Sequence, residues 1–151
     1  MVAPLRVAPS LAVHLPAGWS RSDDPGGPID FRPQDDGALG LMQASLLPPD
    51  EFTRLQRVMP LGPEAAAFGL QSNPDATVVG HQDAPCAMGR MAFVLLRSQR
   101  TPALMVWLTL SNAAGWLWTF AGPDADAPAL KQAMQVAVSA KVILAPLPVR
   151  L

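Results

Sequence analysis

MAFVLLRSQRTPALMVWLTL, residues Met91 to Leu110, is the stretch on which the fold turns. In its first part Ala92, Val94 and Leu96 alternate with Met91, Phe93 and Leu95, and both sets are apolar. Period-two alternation sends the two sets to opposite faces of a strand, so this strand has no side suited to water. In its second part Val106, Leu108 and Leu110 alternate in the same way with Met105, Trp107 and Thr109. The turn material QRTP joins the two. An antiparallel pair that is apolar on both faces belongs at the middle of a sheet with further layers above and below it.

Working outward, Ala76 to Gln82 and Gly115 to Ala121 read as neighbouring strands of the same meander, set off by QDAPC and SNAAG. In Trp116 to Phe120 the rings of Trp116, Trp118 and Phe120 share one face, with Leu117 and Thr119 on the other. Those rings are expected to pack beneath a C-terminal helix. That helix is read over Pro128 to Lys141, with Asp126 as N-cap and Pro128 in the first turn, where a missing N–H costs nothing. Leu130, Met134, Ala137, Val138 and Lys141 form its inner stripe, and Lys131, Gln132 and Gln135 face away. An isolated helix of this length is marginal in water, so it exists by docking on the sheet.

On the N-terminal side, Leu11 to Leu15 alternates like a short strand that Pro16 and Gly18 stop. Ser20 to Pro28 (SRSDDPGGP) is dense in turn formers and reads as an exposed loop. Short strands follow at Ile29 to Arg32 and Leu39 to Leu47. Asp50 then caps a helix running to Met59, which Pro60, Gly62 and Pro63 break, and Glu64 to Leu70 adds a turn or two. The predicted fold class is α+β: a mainly antiparallel twisted sheet with helices packed on its faces.

With 151 residues, 50% hydrophobic and 15% charged, the chain reads as a single globular domain over 1–151, with irregular ends at about 1–10 and 145–151. Eleven basic against twelve acidic residues leave a net charge of -1, without the basic excess that binding nucleic acid needs. The longest apolar runs, Met91 to Leu96 and Ala103 to Leu110, fall far short of the ~18 residues of a membrane span. The start lacks a secretory signal pattern. The expected location is therefore cytoplasmic.

The string Leu15-Pro16-Ala17-Gly18-Trp19, followed by a loop, strands, a helix, a long meander and a final helix, resembles the PsbP-like family over roughly Leu11 to Leu144. Its members include a photosystem II extrinsic subunit, a Ran-binding transport factor and small bacterial lipoproteins. The resemblance implies an α/β/α sandwich and a binding or assembly module rather than an enzyme. The chain departs from the family in having no lipid-attachment cysteine near the start and a longer, proline-rich tail, Ile143 to Leu151.

His81, Asp83 and Cys86 are the tightest cluster of reactive types, and an extended backbone puts His81 and Asp83 on one face. The reading favoured here is a polar turn with a semi-buried thiol, because no oxyanion-hole glycine pattern accompanies them. His14 reads as a solvent-facing strand residue and Asp23, Asp24, Asp35 and Asp36 as solvated turn aspartates. No phosphate-binding glycine signature occurs, one cysteine cannot build a cysteine-rich zinc site, and neither cofactor nor metal is expected.

These readings converge on a non-catalytic protein-binding or assembly module, its partner a protein, either another chain or a second copy in a homo-oligomer. Contact is expected from the Ser20 to Pro28 loop with an edge aromatic, through Trp19, Arg21, Asp23, Asp24 and Trp107. The alternative is a small-molecule carrier or small hydrolase with an apolar pocket between sheet and C-terminal helix, lined by Trp116, Trp118, Met134 and Cys86.

Overall fold

The structure is a computed structural model, and the residues it describes are 5–8, 11–13, 19–23, 29–33, 41–86, 89–112, 114–122 and 128–142. In chain order they form β1 (Leu5–Ala8), β2 (Leu11–Val13), β3 (Trp19–Asp23), β4 (Ile29–Pro33), β5 (Leu41–Leu46), α1 (Pro49–Leu55), α2 (Gly62–Ser72), β6 (Thr77–Cys86), β7 (Gly89–Arg97), β8 (Ala103–Leu110), β9 (Gly115–Gly122), α3 (Pro128–Ser139) and β10 (Lys141–Val142). A seven-stranded sheet runs in the order β3-β4-β5-β9-β8-β7-β6, and a three-stranded sheet in the order β1-β2-β10. Every pairing among the described strands is antiparallel. With helices packed against both faces of the larger sheet, the fold is the α+β, α/β/α sandwich that the alternation of the meander implied.

The two-faced strands sit where their pattern requires. Every residue of β8 is buried. On one face Met105 and Trp107 join Met91, Trp116, Trp118 and Phe120 in a cluster closed by Leu130, Ala133 and Ala137 of α3 and by Ala140 just past its end. On the other, Leu104, Val106, Leu108 and Leu110 join Ala92, Val94 and Leu96 under Leu55, Leu61, Ala65 and Ala66. Each large apolar side chain fully buried is worth about 1.5–3 kcal/mol, so β8 and its two neighbours carry most of the driving force for layering. The rings of Trp116, Trp118 and Phe120 do pack in the α3 layer, as expected. The indole N–H of Trp118 donates to Thr109 Oγ1 at 2.8 Å in a buried bond, which satisfies both groups where water does not reach.

Helix α2 shows how a pair of prolines misleads. Pro63 stands in its first turn, where proline is tolerated, so the segment read as a break is the start of an eleven-residue helix rather than of a turn or two. Its N-cap, Leu61, has no side chain able to accept a hydrogen bond. Asp83 reaches across from β6 instead, its Oδ2 accepting from Leu61 N at 2.7 Å and its Oδ1 from Gly62 N at 2.8 Å. A Cβ at position 62 would lie 2.5 Å from His81 Nδ1, so glycine is what lets the strand come this close. Helix α1 ends at Leu55 instead of Met59, and Asp50 lies inside it rather than capping it. Past its end, Arg90 of β7 donates to the carbonyl oxygen of Val58 at 2.6 Å, while Arg54 joins Glu51 to Glu64 of α2.

Other expectations shift for equally local reasons. Ser20 to Asp23 is strand β3, not loop, because its backbone pairs with Ile29 to Arg32 of β4. A strand, β1, lies in the stretch read as irregular, paired with β2. Strand β6 runs on through Pro85 to Cys86, which an edge strand allows because one side of its backbone has no neighbour to serve. The chain turns back after it, and Gly89 has a φ of 141°, open only to glycine. In α3 the buried positions are Leu130, Ala133, Val136 and Ala137, with Ala140 just past its end; Met134 and Val138 are only half-buried. The alanines let the helix lie close to the tryptophan layer and turn its larger side chains to one edge. Asp126 lies outside the described residues.

Two measurements check these contacts. Thr109→Val leaves the Trp118 N–H buried without an acceptor and should cost about 1–3 kcal/mol in denaturant unfolding, with Thr109→Ser recovering most of it; equal midpoints for all three proteins would contradict the bond. Asp83→Ala leaves two amides of α2 uncapped and should cost about 0.5–2 kcal/mol, with faster hydrogen exchange confined to the first turn of α2. Unchanged exchange there would remove the assigned cap.

Candidate functional site

The reactive cluster of the sequence does not assemble. Asp83 turns towards α2, whereas Ala84 and Cys86 pack against the tryptophan cluster on the opposite face of the sheet. With a sheet between them, thiol and carboxylate cannot share a proton. His81 is exposed beside the start of α2, with Gly62 at its ring. Asp83 therefore has a structural task, and Cys86 is half-buried. Among the described residues no group of three metal-binding side chains comes together. His14, Asp24, Asp35 and Asp36 lie outside the described residues.

The proposed contact residues also move. Trp107 is fully buried in a central strand, so it is not an edge aromatic. Its neighbours across the ladder, Phe93 and Trp118, leave it no path to the surface. Trp19 is 8% exposed, and its indole N–H donates to Gln132 Oε1 of α3 at 2.8 Å. Its ring lies 6.3 Å from that of Phe120. This tryptophan fastens β3 to α3. Arg21 and Asp23 lie on β3, and Asp24 is outside the described residues.

What the fold does build is a groove beside α3. The helix rests mainly against β8, β9 and β2. Beside it lies an apolar cavity of about 550 Å³, open rather than enclosed, lined by Leu95 and Met105 of the sheet and by Leu130, Met134 and Val138 of the helix. Lys131, Gln135 and Ser139 border it too. Both helix sets recur every four residues, so an apolar row and a polar row run side by side for about 12 Å. Across the ladder from Leu95 stands Gly80, which has no side chain to cover it. Phe93 and Leu95 are accordingly half-buried at the edge of an otherwise closed core.

The expected pocket between sheet and C-terminal helix is thus present, with different walls. Met134 lines it; Trp116, Trp118 and Cys86 do not. The sequence contained the signal in the rows 130-134-138 and 131-135-139. Which row faces the sheet depended on the lateral position of the helix, and that is set by Trp19, Phe120 and the alanines.

No protein-family profile matches the chain, and no curated protein does. Among solved structures the chain is similar to the solution structure of cyanobacterial PsbP (CyanoP) from Synechocystis sp. PCC 6803, at 17% identity, covering 91% of this chain and 89% of that one, with a TM-score of 0.58. A second structure, from Bacteroides thetaiotaomicron VPI-5482, is 15% identical with a TM-score of 0.47, over 88% of this chain and 45% of that one. The resemblance read from the LPAGW string and the element order therefore holds at the level of fold. It also corrects the cytoplasmic location expected above: the matched fold is that of a PsbP, and the PsbP-like resemblance carries extrinsic photosystem subunits and lipoproteins. The residues at which this sequence begins are no ground for a cytoplasmic placement. No helix among the described residues is long and apolar enough to cross a membrane. The chain has the PsbP-like fold.

Proposed function

We propose that this protein is a non-catalytic binding module that receives an amphipathic helix of a partner protein in the groove between α3 and the β7–β8 pair. The observation that carries the reading is the open, apolar cavity of about 550 Å³ with its parallel rows of apolar and polar side chains. A carrier of small apolar molecules has to surround most of its cargo, and typical ligand sites bury 70–90% or more of a ligand. An open trough suits an inserted ridge better. In helix-in-groove recognition the guest's apolar side chains enter the trough while its polar flank meets the rim. Leu130, Met134, Val138, Leu95 and Met105 supply the trough; Lys131 and Gln135 supply a rim suited to an acidic or amide side chain. Met105 and Met134 add adaptable, polarizable surface. The PsbP-like fold supports a module that docks onto something larger, and the separation of Asp83 from Cys86 by the sheet leaves that cluster without a hydrolytic role.

Photocrosslinking tests the reading directly. A photoreactive phenylalanine analogue at Gln135, which is exposed at the rim, should capture one heteromeric partner in the native host, and the capture should fall at least tenfold when Met134→Arg is added. The same analogue at Arg57, exposed on the opposite layer, should capture none. A product at twice the chain's own mass alone, capture that survives Met134→Arg, or a small amphiphile retained in native mass spectra with no protein crosslink would each overturn the proposal.

A further inference from the structure

The opposite face of the large sheet carries a second opening of contrasting chemistry. Helix α2 lies against β6, β7 and β8, which leaves Gln43 of β5 and Thr119 of β9 beside the helix rather than beneath it. These two residues are cross-strand partners. Between them and the last turn of α2 is a cleft of about 290 Å³, ringed by Gln43, Thr119, Thr101, Ser72 and Asn73, with Phe68 on its helix wall and an aliphatic floor from β8 and β9.

Hydrogen-bond bookkeeping narrows what this cleft accepts. Gln43 Nε2 donates one of its two N–H groups to Asp30 Oδ1 at 3.0 Å; a carboxylate only accepts, which fixes the orientation of the amide and leaves Oε1 as an acceptor beside the second N–H. Asn73 Nδ2 donates to the Gly69 carbonyl oxygen at 3.4 Å, which leaves Asn73 Oδ1 in the same condition. Among the described residues the hydroxyls of Ser72, Thr101 and Thr119 make no hydrogen bond within the protein. The lining thus holds two amides, each with an oxygen that accepts and one remaining N–H, and three hydroxyls that take either role, and it contains no charged side chain.

An anion would find no cation in the lining to offset its charge, and a purely apolar ligand would strand the polar ring. A ligand with O–H groups around its edge and C–H groups on its face satisfies both parts: the hydroxyls donate to the amide oxygens, and the C–H face covers Phe68 and the floor. The volume, at the lower end of the about 300–1,000 Å³ of ligand sites, admits one ring. We infer that the α2 cleft binds a single neutral sugar residue, independently of the α3 groove. The two sites lie on opposite faces of one sheet and share no lining residue.

Saturation-transfer NMR on the full chain with methyl glucoside, methyl galactoside and methyl mannoside, each at millimolar concentration, decides the matter. At least one should show transfer and shift the backbone amides of Gln43, Asn73, Thr101 and Thr119, while glucuronate shows none. Thr119→Val should weaken binding about fivefold, the effect of one hydrogen bond. Ser72→Ala, at an exposed position that folding does not depend on, should weaken it by a smaller factor. Absence of transfer from all the neutral glycosides, equal binding of glucuronate, an undiminished response in both variants, or shifts confined to Leu95 and Met134 would overturn the inference.

Discussion

Covering β8 on both faces is the demand that organises the molecule. Its eight residues are all buried, and neither set of alternating side chains can be turned to water without exposing the other. One layer must therefore form over Leu104, Val106, Leu108 and Leu110, and another over Met105 and Trp107. Helices α1 and α2 supply the first, α3 the second. A helix covers only a strand or two beyond its axis, since its diameter is about 10–12 Å against a strand spacing of about 4.8 Å. Seven strands are too wide for such cover.

The uncovered ground is not symmetric, and its chemistry follows from where each helix is fastened. Helix α2 is held towards β6 by Asp83 at its first amides and is joined to α1 through Arg54. Helix α3 is held in the other direction, towards β3, by the Trp19–Gln132 bond and the Trp19–Phe120 ring contact. On the α3 face this uncovers the apolar side of β7, where Phe93 and Leu95 stand half-exposed. On the α2 face it uncovers the Asp30–Gln43–Thr119 ladder, which is polar. Two fastenings at opposite edges thus produce two recesses, one apolar and one rich in hydroxyls and amides.

Period and composition in the meander were enough to reveal the central strands, because both faces of β7 and β8 are apolar over a long run. Weaker signals misled where the deciding contact was distant in sequence. Ser20 to Asp23 looks like turn material, and it is the pairing with β4 that makes it a strand. Pro63 reads as a breaker until Asp83, twenty residues on, is seen capping the helix it begins. Trp107 is expected from the sequence to be an edge aromatic, whereas its strand is flanked on both sides and its ring is fully enclosed. The groove was half legible: the rows on α3 are plain in the sequence, but their lateral offset from the sheet is fixed by Trp19, which lies more than a hundred residues away.

Strand parity places Asp83 and Cys86 on opposite faces of the sheet and keeps those two groups from meeting. The proposed groove depends on the lateral position of α3, which leaves Leu95 and Met105 open beside Met134 and Val138. Hydroxyl-radical footprinting of the isolated chain measures that directly. Met134 and Phe93 should be oxidised readily, as should Met59 at 84% exposure, whereas Met42, Met91 and Trp107, at 0%, 4% and 0%, should resist. Protection of Met134 and Phe93 equal to that of Met42 would mean that the groove is filled in the free protein, and the account built on it would fail.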